Sequence, residues 1–257
     1  MMKKVLGTVT VLALSVSLLA GCGSTAVSPV SSTASTAAES TTSSVVSETT
    51  SAAADENAAA AAQLLNDLTG SYQELWPVIL ADEYQQTWLD DCTALVGEEN
   101  AEAAFEKLSS MVTGDVYGED AVEAYANGGG AYFCGFTNSL ATLTFDGETS
   151  TISGTDKDGN VLFSHTYHYI GMEPVHGLYE FESDDADSGE FTYFFLAPDT
   201  SAETYHIEFR YGSDAEALSQ YDAGEYAYWV ASGISTDCDQ TMIDNCIELF
   251  CTENLAG

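Results

Sequence analysis

The sequence predicts an α+β domain in which an antiparallel β-barrel is flanked by helices on its N-terminal and C-terminal sides. Three observations support this class. Apolar residues recur at helical spacing from about residue 58 to 126, they alternate with polar residues from Ala131 onward, and helical spacing returns near Asp239. Short strands joined by Gly and Asp turns are typical of a meander that closes into a small barrel.

The helical segments are marked by apolar residues on one face and by glycines just past several of their ends. Asp239 to Glu253 is the longest segment after the strands, with Met242, Ile243 and Ile247 on its packing face. The pattern predicts helices over Ala58–Leu68, Glu83–Leu95, Asn100–Val112, Glu119–Ala126, Ser213–Leu218 and Asp239–Glu253.

The strand region shows a period of two, as expected where alternate side chains enter a core. Asp146-Gly147 and Lys157-Asp158-Gly159 predict hairpin turns between the first strands. The pattern predicts strands over Leu143–Phe145, Ser150–Thr155, Val161–Ile170, Val175–Glu182, Glu190–Leu196 and Thr204–Tyr211.

The amino terminus has the layout of a lipoprotein signal peptide over residues 1–21. Lys3 and Lys4 precede the apolar run Val5–Ala20, and Gly21 is followed by Cys22. We expect Cys22 to be the lipid attachment site, which would anchor the protein to the cell membrane with its domain outside the cytoplasm. An uncleaved anchor helix is the alternative, although spanning a bilayer takes about 20 apolar residues.

Residues 22–57 are rich in Ser, Thr and Ala and have almost no aromatic side chains. Such a segment cannot bury enough apolar surface to offset the entropy of ordering its backbone, so it is predicted to be a disordered tether. All fourteen Tyr and all three Trp follow Ala54, and residues 58–257 have a length typical of one domain.

Acidic residues dominate the chain, with forty-one Asp and Glu against five Lys and Arg and a formal net charge of −36. The basic residues after Cys22 are Lys107, Lys157 and Arg210. This charge repels nucleic acid and anionic surfaces, so nucleic acid is not an expected partner. It attracts cations, but it would also serve simply to keep an exported protein in solution.

Five cysteines follow Cys22, none in a CxxC pair or at zinc-finger spacing: Cys92, Cys134, Cys238, Cys246 and Cys251. Because the number is odd, at least one stays unpaired or pairs between chains. Most are interpreted as small buried hydrophobes, and one disulfide with unassigned partners is compatible with the sequence.

His206 and Glu208 are two apart on a predicted strand, so both project from one face with alpha carbons roughly 6 to 7 Å apart, close enough to share a cation. His165 and His168 are three apart and should face opposite ways, so they are not a chelating pair. Asp156–Asn160 is interpreted as a hairpin turn and Asp184–Glu190 as a solvated loop, each with a calcium site as the alternative.

Signatures of common enzyme classes are absent, including GxSxG, the Walker loop, GxGxxG and HExxH. The acidic pairs are too numerous to single out two catalytic carboxylates. We therefore expect no enzymatic activity and no catalytic residues.

Several segments together resemble the ZinT/YodA family, which also supplies the carboxy-terminal domain of the AdcA zinc-uptake lipoprotein. The similarity extends from about Leu68 to Asn254. The segments are Gly70-Ser71-Tyr72, Leu75-Trp76-Pro77, Tyr167-His168-Tyr169-Ile170-Gly171, Leu178-Tyr179-Glu180-Phe181-Glu182 and, most specifically, Tyr205-His206-Ile207-Glu208-Phe209-Arg210-Tyr211-Gly212.

The resemblance implies a lipocalin-like, or calycin-like, barrel and zinc binding at the barrel mouth through three histidines. The first falls on His206 and the second on Glu208. The third lies nine residues before the first, where this chain has Ala197, with Asp199 the nearest acid. A site of His206, Glu208 and Asp199 with water is expected, and fewer imidazoles shift preference toward harder ions such as manganese or calcium.

Two functions follow from these patterns. The first is an extracytoplasmic carrier of a divalent metal, with zinc as the expected ion, that passes its ion to a metal-uptake transporter component. The second is a diverged barrel that binds a small organic ligand, or a partner protein, without metal.

Overall fold

The computed structural model describes residues 56–197 and 206–256. Within them, eight strands form a closed antiparallel barrel in which each strand pairs with the next and the last pairs with the first. The strands are β1 (Gly70–Glu74), β2 (Thr142–Asp146), β3 (Thr151–Thr155), β4 (Val161–Met172), β5 (Tyr179–Ser183), β6 (Tyr193–Leu196), β7 (His206–Gly212) and β8 (Ala231–Ser235). The barrel flanked by helices confirms the predicted fold class.

Helices precede the barrel, interrupt it between β1 and β2 and follow it. Short 3-10 helices cover Asp82–Tyr84 and Gly189–Phe191. The α-helices are α1 (56–67), α2 (Leu75–Ile79), α3 (Gln85–Val96), α4 (Ala101–Val112), α5 (Glu119–Ala126), α6 (Ala215–Leu218) and α7 (Gln240–Leu255). No helix in the described residues has the length and apolar character needed to cross a bilayer.

The barrel interior is filled by aromatic side chains. Phe194, Phe209, Tyr211 and Trp229 are all at most 1% exposed, and the Phe194 and Tyr211 ring centroids are 5.4 Å apart. Buried positions alternate along β2 and β3, as the period of two predicted, whereas three consecutive residues of β6, Phe194 to Leu196, are all buried. Stacked and edge-on rings of this kind stabilise the core beyond the area that they bury.

A second core lies where α3, α4 and α7 pack outside the barrel. Trp88 is fully buried in it and donates its indole N–H to the carbonyl oxygen of Ile79 at 2.7 Å. Ile234 of β8 belongs to this second core rather than to the barrel interior. The Asp239 carboxylate caps α7 by accepting a hydrogen bond from the Met242 N–H, which fixes where the last helix begins.

Two strands that close the barrel, β1 and β8, were not predicted. Gln73 of β1 is registered with Ile234 of β8, and Ser71 of β1 is registered with Thr144 of β2. β8 has the sequence Ala-Ser-Gly-Ile-Ser, which has little apolar alternation and small side chains.

The predicted strand over Val175–Glu182 is wrong in its first half, because β5 begins at Tyr179. The Glu173 carboxylate accepts hydrogen bonds from the backbone N–H groups of Val175 and His176, which folds this segment into a turn. Gly177, with φ of 74°, completes the turn. His176 therefore lies in a turn and not on the barrel wall.

The predicted strand over Glu190–Leu196 also starts too early. Gly189–Phe191 forms a 3-10 helix, and β6 begins at Tyr193. The signal peptide at 1–21, the lipid attachment site at Cys22 and the tether at 22–57 lie outside the described residues, apart from residues 56 and 57 at the start of α1.

Candidate metal-binding site

His206 and Glu208 lie on the same side of β7, as their spacing predicted. Ile207 lies between them and Phe209 follows Glu208, and both of these apolar side chains are buried in the barrel interior. Because side chains alternate across a strand, the imidazole and the carboxylate project from the outer side of the barrel wall. Both side chains are half-buried.

The outer side of β7 faces the helical part of the domain. His206 is registered with Ile234 of β8, and Glu208 is registered with Ser232. Ile234 packs in the second core, to which Cys246 of α7 also belongs. The candidate pair therefore lies at the border between the barrel wall and the helices that cover it.

The Glu208 carboxylate lies near enough to two buried thiols, Cys134 and Cys246, for its charge to affect both. Burial, and after it the charge of Glu208, raises the pKa of Cys134, and the same two causes raise the pKa of Cys246 to about 12. Both thiols are therefore protonated at neutral pH, and zinc binds the thiolate rather than the thiol. In the absence of a metal these cysteines are apolar neighbours of the site.

Arg210 follows Glu208 on the same side of β7 and is fully buried. Its guanidinium donates hydrogen bonds to the carbonyl oxygens of Leu218, Gln220 and Tyr226. Burial lowers the pKa of Arg210, and the nearby Tyr221 phenol and Glu173 carboxylate oppose that effect. Arginine stays protonated in proteins, so this group holds the connection that follows β7 and brings a positive charge close to Glu208.

The described residues provide two donors of the expected metal site and not the third. Asp199 lies outside them, so its position relative to His206 and Glu208 is not described. Across 56–197 and 206–256, no three His, Cys, Asp or Glu side chains stand close enough together to hold a metal ion. An imidazole and a carboxylate are suitable zinc ligands, so the residues present fit part of a zinc site.

The other histidines are engaged elsewhere. The His165 Nδ1 atom lies 2.8 Å from an Asp185 carboxylate oxygen, and His168 Nδ1 lies 2.8 Å from Asp184. His168 is exposed while its neighbour Tyr167 is buried, which confirms that His165 and His168 face opposite ways. The Asp184–Glu190 loop thus binds the two histidines by hydrogen bonds.

The Asp156–Asn160 segment is a hairpin turn between β3 and β4, as predicted. The Asp156 carboxylate accepts hydrogen bonds from the backbone N–H groups of Asp158 and Asn160 and from the Asn160 side-chain amide. These hydrogen bonds, those of Asn160 first, hold the pKa of Asp156 below its ordinary value. Its oxygens are the acceptors of the hydrogen bonds that close the turn.

A polar cluster beside the candidate pair was not predicted from the sequence. Glu173 has no exposed surface, His176 Nδ1 lies 3.6 Å from a Glu173 oxygen, and the His176 and Tyr221 ring centroids are 3.8 Å apart. Tyr221 in turn lies under the Arg210 guanidinium. Pro174 is a turn signal that the sequence offers at this point, but nothing local in the sequence indicates that His176 contacts Tyr221.

No family model matches the sequence, and no curated protein matches it. Among solved structures, the chain is similar to the Zn(II)-bound ZinT-like domain of Streptococcus pneumoniae AdcA, with a TM-score of 0.45 and 16% identity over 72% of this chain and 89% of that one. It is also similar to Zn(II)-bound AdcA from Streptococcus pneumoniae, with a TM-score of 0.43 and 14% identity over 73% of this chain and 35% of that one. The chain thus spans about a third of AdcA, and these likenesses are too distant to assign it a ligand.

Proposed function

We propose that this protein is an exported lipoprotein that binds a divalent metal ion for metal uptake or homeostasis, and that zinc is its principal ion. The observation that carries the proposal is the pairing of an imidazole and a carboxylate, His206 and Glu208, on one side of β7. Asp199 is the proposed third ligand, and water completes the coordination shell.

The charge of the chain and the sequence of β7 support the proposal of a metal site. The chain is strongly acidic, with a formal net charge of −36, so the field around the domain concentrates cations. The segment Tyr205–Gly212 is also the part of the chain that most resembles the ZinT/YodA family. One imidazole with two carboxylates should hold zinc less tightly than three imidazoles and should accept manganese more readily.

The export signal sets the place of this function. Lipid attachment at Cys22 would tether the domain at the outer side of the cell membrane, and the tether at 22–57 would span roughly 30 Å. In that position the domain is suited to capture an ion and to pass it to a metal-uptake transporter component. Nucleic acid is not a partner in this proposal.

The alternative of a small organic ligand inside the barrel is disfavoured by the packing of its interior. Phe163 stacks on Phe191 with ring centroids 3.9 Å apart, and Phe194 and Phe209 are fully buried between the walls. Sites for organic ligands are usually concave and several hundred Å³ in volume. Among the described residues, these rings fill part of the space that such a ligand would need.

Calorimetric titration of the mature chain, residues 22–257, with zinc and with manganese tests the proposal. We expect one zinc site, a loss of affinity of at least about tenfold in His206→Ala and Glu208→Ala, and no change in His168→Ala. His168→Ala is the matched control, because it removes an imidazole of β4 that is hydrogen-bonded to the Asp184 carboxylate in the loop after β5. Absence of binding, or equal binding by His206→Ala and the wild-type protein, would refute the proposal.

A further inference from the structure

Two cysteines meet in the second core, where α3 and α7 pack together. Cys92 of α3 and Cys251 of α7 are both completely buried, and their sulfur atoms are 3.9 Å apart. Both are thiols in this structure. The two cysteines are 159 positions apart in the chain, so the contact joins helices that are distant in sequence.

We propose that Cys92 and Cys251 form a disulfide bond in the exported protein. A disulfide has a sulfur–sulfur bond of about 2.0 Å, so the two atoms must approach by roughly 2 Å, which small changes of the side-chain torsion angles and of helix spacing can supply. The sequence allowed one disulfide without naming its partners, and this contact names them. The other three cysteines make no such sulfur–sulfur contact within the described residues.

The chemistry requires an oxidant outside the protein. The Cys92 thiolate attacks a disulfide of a small molecule or of a thiol oxidoreductase, which releases one thiol of that oxidant and leaves a mixed disulfide. The Cys251 thiolate then attacks the Cys92 sulfur and releases the second thiol. Two protons leave the cysteines, and two electrons pass to the oxidant. The proposal therefore depends on export to an oxidising compartment and not on metal binding.

The surroundings of the pair indicate a structural bond rather than a redox switch. Burial raises the pKa of Cys92 and of Cys251, so little thiolate exists once the helices have packed. The bond should form during folding, before water leaves the second core. Once formed, it should resist reductants until the domain unfolds.

The bond would hold the last helix of the domain in place. Cross-links between distant residues restrict the unfolded chain strongly, because the loop that they close is long. For a domain of about 200 residues, we expect reduction to lower the melting temperature by about 10 °C. The helix that is held, α7, also carries Cys246 beside the candidate metal pair.

Peptide mapping of the full-length mature protein, exported through an oxidising compartment, tests the pairing. The protein is unfolded in the presence of an alkylating agent and digested without reduction by proteases that cut after Asp and Glu. Cys92 then falls in Cys92–Glu98 and Cys251 in Leu249–Glu253, while Glu248 separates Cys251 from Cys246. We expect a linked pair of these two peptides. Alkylation of both cysteines, or a bond between other cysteines, would overturn the proposal.

Thermal unfolding provides a second test that does not depend on the digest. The wild-type protein, when it is reduced in the unfolded state and refolded with a reductant, should melt about 10 °C below the oxidised protein, whereas Cys92→Ala should melt at the same temperature after either treatment. Cys134→Ala is the matched control, since Cys134 is also buried and lies outside the contact, and it should keep the wild-type sensitivity. Equal melting temperatures of the oxidised wild-type protein and of the wild-type protein refolded in its reduced form would contradict the proposal.

Discussion

The guanidinium carbon of Arg210 lies 4.2 Å from the centroid of the Tyr221 ring, and its nitrogens donate to backbone carbonyl oxygens on both sides of that tyrosine. A single buried cation thus organises the connection between β7 and β8. The same strand carries His206 and Glu208, so the backbone that presents the candidate metal pair depends on this arrangement.

Replacing Arg210 with Met should destabilise the domain by about 3 kcal/mol, because at least three carbonyl oxygens lose a charged donor in a buried place. Urea denaturation of the mature protein measures the loss. Lys157→Met is the control, since it removes the same charge from a side chain that is 83% exposed. If both variants lost the same small amount of stability, Arg210 would not have the structural role assigned to it.

The stability of the domain should fall at alkaline pH, in part through Tyr221. Burial raises the pKa of Tyr221 from 10.0 to about 12, and the Arg210 charge opposes part of that rise. Below pH 10 the phenol is protonated in both states and contributes no pH dependence. Between pH 10 and 12 the unfolded chain has lost the proton that the folded chain keeps, so the free energy of unfolding decreases as pH rises.

Urea denaturation of the wild-type protein and of Tyr221→Phe at about pH 8 and about pH 11 checks this dependence. The wild-type protein should lose up to about 1 kcal/mol more than the variant between the two values, because one group contributes at most about 1.4 kcal/mol per pH unit. Parallel losses in the two proteins would show that Tyr221 titrates alike in the folded and unfolded states.

The turn at Glu173 should depend on both carboxylate oxygens. Glu173→Ala leaves two backbone N–H groups without their acceptors and should cost about 2 kcal/mol, measured by urea denaturation. Glu173→Gln keeps one acceptor oxygen and should cost less. Equal effects of Ala and Gln would contradict the assigned hydrogen bonds.

Because aromatic side chains fill the barrel interior, the stability of the domain should depend strongly on Phe194, which has no exposed surface. Phe194→Ala should cost about 3 to 5 kcal/mol through lost burial and the cavity that remains, and thermal unfolding checks it. Val161→Ala, at a side chain that is 70% exposed, should cost less than about 0.5 kcal/mol. A loss of less than about 1 kcal/mol in Phe194→Ala would mean that the interior is loosely packed.

Elements with strong periodicity were predicted well from the sequence. α5 was predicted with its observed bounds, Glu119–Ala126, and β4 was predicted from its observed start at Val161. These segments combine a clear apolar pattern with glycine or aspartate at their ends, so local sequence decides their structure.

The missed elements are those that long-range pairing decides. β1 and β8 are five residues each, and their small or polar side chains carry no alternation. They become strands because each completes the hydrogen bonds of a neighbour, and a period of two cannot show that. The strand predicted from Val175 failed for a similar reason. Hydrogen bonds to the Glu173 carboxylate fold the backbone there into a turn, and the apolar pattern does not reveal them.

The candidate site was predictable only in part for the same reason. The spacing of His206 and Glu208 on one strand predicted that both side chains project from the same side of β7. The contacts of this strand with Cys246 and Tyr221 depend on how α7 and the β7–β8 connection pack against the barrel, and no local pattern in the sequence indicates them.

X-ray absorption at the zinc edge of the metal-loaded mature protein tests the central claim most directly. The account predicts a shell of nitrogen and oxygen ligands at about 2.0 to 2.2 Å that includes one imidazole, and the loss of that imidazole signal in His206→Ala. A shell with sulfur at about 2.3 Å, which would place the metal on cysteines such as Cys134 and Cys246, or a spectrum unchanged in His206→Ala, would contradict it.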